Sequence, residues 1–229
     1  MTSLDARNVG TVQIPVMSQV ARPDRRLRFA EDSKDPRAER VRTLRTRLQQ
    51  RPLGSEQNGV IAITSPGPGE GRTRLAAELA IAFAQLGRRT LLVDADLRRP
   101  QLHLLFNVRN GPGLSQALER GSEPRLCVVE GMPELHLLPA ASTTRNPTDL
   151  LSQEGFKLMV SEWRIAFELV VIDTPPMSQY ADGQAIAAVA RRALTVSRAN
   201  HTPLAAIERM LRQLLVARSD VAGTVIGHF

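Results

Sequence analysis

Three short segments carry residues whose types and spacing suit a common chemistry. The first is Ser65-Pro-Gly-Pro-Gly-Glu-Gly-Arg-Thr73. Glycines at 67, 69 and 71 let the backbone curl until successive N–H groups point inward, which makes an anion nest. A helix opening near Thr73 adds the positive end of its dipole at the same place. That combination holds phosphates, chiefly by main chain. The usual loop pattern is G-x-x-x-x-G-K-[ST]. Counting back from Gly71, Pro66 stands at the first glycine, and Arg72 stands where lysine is expected. The second segment, Leu91-Leu-Val-Asp94-Ala-Asp96-Leu-Arg98, ends an apolar run on two carboxylates. The third, Val170-Val-Ile-Asp173-Thr-Pro-Pro176, does the same with one. Carboxylates at such strand ends can hold Mg²⁺ beside bound phosphates, directly or through water. Either aspartate alone would be explained as a helix cap. Both together, with a glycine loop in this order, make a phosphate site the better explanation. The candidate nucleotide-binding residues are Gly67, Pro68, Gly69, Glu70, Gly71, Arg72, Thr73 and Arg74, for ATP or ADP with Mg²⁺.

These segments must be positioned by elements that alternate along the chain. Strand-like runs are expected at Val60–Thr64, Thr90–Val93, Leu135–Leu138, Leu169–Ile172, Ala193–Val196 and Val221–Ile226. Helical patterns are expected at Pro36–Gln50, Leu75–Leu86, Gly113–Glu119, Thr148–Trp163, Gln184–Ala190 and Pro203–Ala217. Strands alternating with helices predict an α/β fold with a doubly wound, mostly parallel sheet covered on both faces. Ligands in such sheets bind at the carboxyl ends of the strands, where the loop and the aspartates fall. Residues 1–35, with weak periodicity and scattered proline, read as a flexible arm. The domain then spans 36–229.

Composition narrows the function classes. No apolar run is long enough to span a bilayer, and the first ten residues do not read as a secretory signal. The single cysteine, Cys127, excludes an internal disulfide framework and reads as a buried structural thiol. A net charge of +7 invites a nucleic-acid reading, but aromatic residues are only 3% of the chain, too few for base stacking. No nucleic-acid partner is expected.

The three segments together resemble the bacterial tyrosine kinases of capsule and exopolysaccharide synthesis, P-loop autokinases that work with polysaccharide chain-length-determinant membrane proteins. Gly113-Leu-Ser115, Leu138-Pro-Ala140, Asn146-Pro147 and Leu150-Leu-Ser152 resemble further family segments. Glu39-Arg-Val-Arg42-Thr-Leu-Arg45 resembles the E-x-x-R-x-x-R helix through which members form rings. The resemblance covers about residues 36–229 and implies a three-layer P-loop fold of the SIMIBI or MinD-like kind. It implies that residue 72 contacts the β- and γ-phosphates and that Thr73 places its hydroxyl on Mg²⁺. Asp94 and Asp96 would serve metal binding and activation of the acceptor tyrosine, and Asp173 would hold Mg²⁺ through water. The implied catalytic set is thus Asp94, Asp96 and Arg72. Arg98 and Arg198 become candidates for nucleotide or interface contacts. Glu39, Arg42 and Arg45 would pair across protomers of a homo-oligomeric ring. A Wzz-like chain-length-determinant protein is the implied partner, at the inner face of the cytoplasmic membrane.

Three departures bear on catalysis. Arg72 replaces a slim ammonium with a wider planar fork. The chain closes at Phe229 without the family's tyrosine cluster, and its one tyrosine is Tyr180. Gly223-Thr-Val-Ile-Gly227 lacks the asparagine with which members read adenine. A second reading is therefore a catalytically impaired nucleotide-binding regulator of polysaccharide-machinery assembly. A third is a positioning ATPase of the ParA/MinD type.

Overall fold

The computed structural model describes residues 16–27, 35–50, 59–109, 111–141, 143 and 145–227. In chain order the elements are β1 (Val16–Ala21), α1 (Pro36–Gln50), β2 (Gly59–Thr64), α2 (Arg72–Ala84), β3 (Thr90–Asp94), α3 (Leu102–Leu105), α4 (Leu114–Arg120) and β4 (Leu126–Val129). Then follow β5 (Met132–Leu138), α5 (Pro147–Ser152), α6 (Glu154–Ala166), β6 (Leu169–Asp173), α7 (Asp182–Ala190), β7 (Arg192–Arg198), α8 (Leu204–Val216) and β8 (Asp220–Gly227). The strands form one sheet in the order β1-β4-β5-β3-β6-β2-β7-β8. Every neighbouring pair is parallel except β4 with β5. The expected doubly wound α/β architecture is what forms.

The central strands are buried on both faces, which is why β2, β3 and β6 read as continuous apolar runs rather than alternating ones. One face of the sheet packs on α2, whose small residues Ala76, Ala77, Ala80 and Ala84 let the helix lie close. The other face packs on α4 to α6 through Leu114, Leu150, Phe156 and Trp163. Phe156 and Trp163 meet edge to face at 6.3 Å, about two turns apart on α6. Helix α1 is fastened to α2 by polar contacts. Glu78, only 1% exposed, accepts from the guanidinium of Arg74 in its own helix at 2.8 Å and pairs with Arg37 of α1.

The arm expected over residues 1–35 is corrected in its second half. Val16–Ala21 forms an edge strand paired with β4. The Arg22 and Asp24 N–H groups donate to the carbonyls of Phe106 (2.7 Å) and Leu105 (2.8 Å), and Leu27 is buried in the core. A six-residue strand carries too little local signal to be read; its pairing is tertiary. Residues 1–15 and 28–34 lie outside the described part. The remaining differences are small: the four-residue α3 had no periodicity to announce it, and α2 opens at Arg72, directly after Gly71.

Candidate nucleotide site

Position 71 shows how the loop is made. Gly71 takes φ 84°, in the left-handed region, and Gly69 takes φ 72°. These conformations suit glycine and turn the chain abruptly from β2 into α2. The N-terminus of α2, with its unpaired N–H groups, therefore points into the bend. On the far side lie β3 and β6, paired in register so that Asp94 and Asp173 are direct cross-strand neighbours. The Ala95 N–H donates to the Asp173 carbonyl at 3.0 Å and continues that pairing into the loop. The loop after β6 is fastened to the phosphate loop as well. The Met177 and Ser178 N–H groups donate to the carbonyls of Ser65 and Pro66, each at 3.0 Å.

The three aspartates are all buried, and they differ in what holds them. Asp94 has no exposed surface and is fully engaged by main chain. Its Oδ1 accepts from the Asp96 N–H at 3.2 Å, and its Oδ2 from those of Gln101 (3.1 Å) and Leu102 (3.0 Å). It organises its own loop and caps α3. Burial, then the neighbouring Asp173, raises its pKa well above the ordinary carboxylate range. Among the described residues Asp96 accepts only from the Arg99 N–H, at 3.0 Å on Oδ1. Asp173 has no exposed surface, and neither of its carboxylate oxygens has a formed hydrogen bond. Desolvation pushes its pKa up to about 7, against the pull of the Arg72 guanidinium and the nearby Thr73 hydroxyl. The hydroxyl is close enough to favour the charged form without meeting hydrogen-bond geometry.

An orphaned, buried carboxylate at the mouth of an anion nest fits a hard cation that brings its own charge to the site. Asp173 and Thr73 are residues that could hold such a cation, Mg²⁺ among them. Among the described residues no group of three or more His, Cys, Asp or Glu side chains could cage a metal. A cation here would take most of its ligands from phosphate and water, which is the habit of Mg²⁺ in nucleotide sites.

Arg72 is 8% exposed and turned into the protein. Its Nε donates to the Thr174 carbonyl at 2.9 Å, and its Nη1 donates to the Gly67 carbonyl at 2.8 Å and to the Ser65 hydroxyl. The guanidinium thereby bridges the phosphate loop to the loop after β6. Burial lowers its pKa, opposed by Asp173, Asp96 and Glu70. Sequence reasoning found Arg72 but missed these acceptors. Two of them, at Gly67 and Thr174, are main-chain carbonyls, which carry no side-chain signal. Glu70 is also buried, and accepts from Thr202 at 3.0 Å, tying the phosphate loop to the turn before α8. Burial raises its pKa first of all. Pro68 and Gly69 form the exposed rim of the loop, and Arg74 turns toward Glu78 and α1.

Arg98 does not face the phosphate loop. It pairs with buried Asp182 at 2.6 Å, reaches Asn146 at 3.3 Å and Thr148 at 3.1 Å, and lies 4.0 Å over the Tyr180 ring. Glu39 and Arg42 pair with each other at 3.0 Å on the outer side of α1, and Arg45 donates to the Ala82 carbonyl of α2 at 2.9 Å. Cys127 is buried, with its thiol pKa pushed up to about 11 by desolvation.

Residues 59–226 match the family described as cellulose biosynthesis protein BcsQ. Over 197 residues the chain is 33% identical to the tyrosine-protein kinase YwqD of Bacillus subtilis strain 168, covering 85% of this chain and 82% of YwqD. It is 32% identical over 198 residues to the tyrosine-protein kinase ptk of Acinetobacter johnsonii, covering 86% of this chain but 27% of ptk. The chain thus spans about a quarter of that longer relative. Among solved structures, the kinase domain of Escherichia coli tyrosine kinase ETK superposes with a TM-score of 0.81 at 26% identity, covering 88% of this chain and 79% of that one. With its glycine loop, its register-paired aspartates and these relatives, the chain belongs to the bacterial tyrosine-protein kinase family of P-loop proteins.

Proposed function

We propose that the chain binds ATP with Mg²⁺ at the Gly67–Thr73 loop and transfers the γ-phosphoryl group to protein tyrosine. The observation that carries the reading is Asp173, a buried carboxylate without a hydrogen-bond partner, set against a glycine loop that opens α2. Main-chain N–H groups from Gly67 to Thr73 hold the phosphates. Thr73 and Asp173 hold the cation, which neutralises charge on the transferring group. Asp94 keeps the loop and α3 in place. Asp96, in the loop after β3, accepts a single main-chain bond among the described residues and is freer than Asp94, so it takes the acceptor hydroxyl's proton. The test is transfer of labelled γ-phosphate to a tyrosine-containing peptide in Mg²⁺. Transfer abolished by both Asp96→Asn and Asp173→Asn supports the reading. Nucleotide binding without transfer, under conditions where a related kinase is active, overturns it.

A second reading is favoured by Arg72. A guanidinium engaged by three acceptors has to break away before it can follow a phosphoryl group, and phosphoryl transfer depends mostly on positioning. On this reading the chain is a nucleotide-binding regulator of polysaccharide-machinery assembly, and nucleotide occupancy alone is the signal. Either role would be exercised with a chain-length-determinant membrane protein at the inner face of the cytoplasmic membrane, in a ring built through Glu39, Arg42 and Arg45. Co-purification with that partner's cytosolic segment, lost on Glu39→Arg, would support the assembly. No helix among the described residues is long and apolar enough to cross a membrane.

A further inference from the structure

Helix α8 meets the two loops that frame the phosphate site around a small cavity. It holds about 200 Å³ and is lined by Pro66, Met177, Ser178, Arg209, Met210 and Gln213. Pro66 lies just ahead of the glycine loop, and Met177 and Ser178 belong to the loop after β6. On α8 the three lining residues fall three and four apart, which sets them on one side of the helix. The walls are of two kinds. Met177 and Met210 are buried, with Pro66 beside them. Their thioethers are polarisable and pack favourably against aromatic rings. Arg209 is exposed. Its chain neighbour Glu208 pairs with Arg212 at 3.9 Å, and among the described residues no carboxylate pairs with Arg209. The half-buried Gln213 amide donates to the Met177 carbonyl over 3.4 Å, a long bond that ties the helix to the loop.

We infer that this cavity binds a small molecule with one aromatic ring and one carboxylate, of the benzoate class. Size sets the occupant: an apolar cavity of about 150 Å³ accepts benzene. A space of about 200 Å³ therefore takes one ring with a small substituent. The ring packs on Met177 and Met210, and the carboxylate pairs with the planar fork of Arg209. An aliphatic acid forgoes the sulfur–ring contact, and an aromatic amine meets Arg209 as a like charge. Position gives the site a consequence. The Met177 and Ser178 N–H groups carry the Ser65 and Pro66 carbonyls, each at 3.0 Å. The turn before α8 is held to the phosphate loop by the bond from Thr202 to Glu70, at 3.0 Å. A ring lodged in the cavity touches both loops and the helix, so its binding and that of a nucleotide change each other by one common factor. This coupling rests on the nucleotide reading proposed above; the cavity site does not.

The test uses the whole chain without nucleotide and three probes: benzoate, cyclohexanecarboxylate and benzylamine. Saturation-transfer NMR should show saturable benzoate binding, with the other two weaker by about tenfold or more. Arg209→Glu, at an exposed side chain, should weaken benzoate by about tenfold as well. Met210→Leu keeps the apolar volume and removes one sulfur, so it should weaken benzoate and leave cyclohexanecarboxylate unchanged. A variant that merely loosened the fold would weaken both. Titration of fluorescent ADP should then show its affinity shifted by about fivefold or more in saturating benzoate, and ADP should shift benzoate by the same factor. No saturable benzoate binding, or equal binding of the three probes, overturns the cavity site. Benzoate binding untouched by Arg209→Glu overturns it too. An ADP affinity indifferent to benzoate overturns the coupling. Benzoate binding in a protein that takes no ADP supports the cavity site and overturns the nucleotide reading instead.

Discussion

At position 72 charge and shape part company. Arginine keeps the positive charge a phosphate loop needs, so ground-state attraction for ADP or ATP survives. Its planar fork also reaches the carbonyls of Gly67 and Thr174 together with the Ser65 hydroxyl, which one ammonium cannot span in the same way. Arg72→Lys should therefore speed nucleotide association and raise phosphoryl transfer by on the order of 10²-fold, with little change in ADP affinity. Stopped-flow binding and a peptide-transfer assay measure the two, and equal rates in both proteins would show that arginine already does the lysine's task. Asp173 supplies a second prediction. Its folded-state pKa, about 7, lies above the ordinary 3.8. A carboxyl shifted upward stabilises the fold while it is protonated, fully below the ordinary value, and that contribution is lost as pH rises through the folded value. The ligand-free protein should therefore lose thermal stability between roughly pH 4 and 7. Mg²⁺–ADP, which needs the charged form, should bind more tightly across the same interval. Asp173→Asn should flatten most of both dependences, leaving the share that belongs to Asp94. A melting temperature equally steep in pH for Asp173→Asn would contradict the assignment.

Among the elements, Arg98 performs the widest coupling. It leaves the loop after β3 and fastens Asn146 and Thr148 at the start of α5, Asp182 at the start of α7, and the Tyr180 ring between them. Asp182 is fully buried, so removing Arg98 leaves a buried carboxylate with the Thr148 hydroxyl as its remaining side-chain partner. Arg98→Ala should cost roughly 3–5 kcal/mol, seen as a lower denaturant midpoint, whereas surface changes remote from the Arg98–Asp182 pair, such as Arg212→Ala, should cost almost nothing. A midpoint unchanged in Arg98→Ala would place the coupling elsewhere. None of this was visible in the sequence, where Arg98 read as a nucleotide or interface contact. Sequence position shows that an arginine follows the strand-end Asp94 by four residues; it does not show that α5 and α7 bring their N-termini to it. The glycine loop and the strand-end aspartates were legible because local rules make them so: left-handed turns suit glycine, and doubly buried strands read as apolar runs. Asp94 shows where such reading ends. Its place was clear, but its role as holder of three N–H groups depends on α3, a helix too short to announce itself. β1 escaped for the same reason, since its stability comes from pairing with β4 rather than from its own six residues.

For the whole molecule the question is what α1 does on the outside of the domain. Its inner side is committed to α2, through buried Val41 and Leu48, the Arg37–Glu78 pair and the Arg45 bond to the Ala82 carbonyl. Its outer side carries the Glu39–Arg42 pair, and Glu39 is 68% exposed there. The three residues expected to join protomers are thus not equivalent. Arg45 is turned inward, and burial with the repulsion of Arg42 lowers its pKa. To reach a neighbour it must release Ala82, so assembly through Arg45 would loosen α1 from α2, and assembly through Glu39 and Arg42 would not. The two routes separate by experiment. Glu39→Arg should lower the mass seen in light scattering and leave the melting temperature within about a degree, since exposed pairs contribute little to folding. Arg45→Met should keep the aliphatic packing, lose one hydrogen bond of about 1 kcal/mol, and lower the melting temperature by a few degrees. If Arg45 serves only the α1–α2 contact, its variant keeps the mass of the unmodified protein. If it also crosses to a neighbour, mass and melting temperature fall together, and raising salt should reproduce the loss of mass without the loss of stability, because screening acts on exposed charges more than on buried ones.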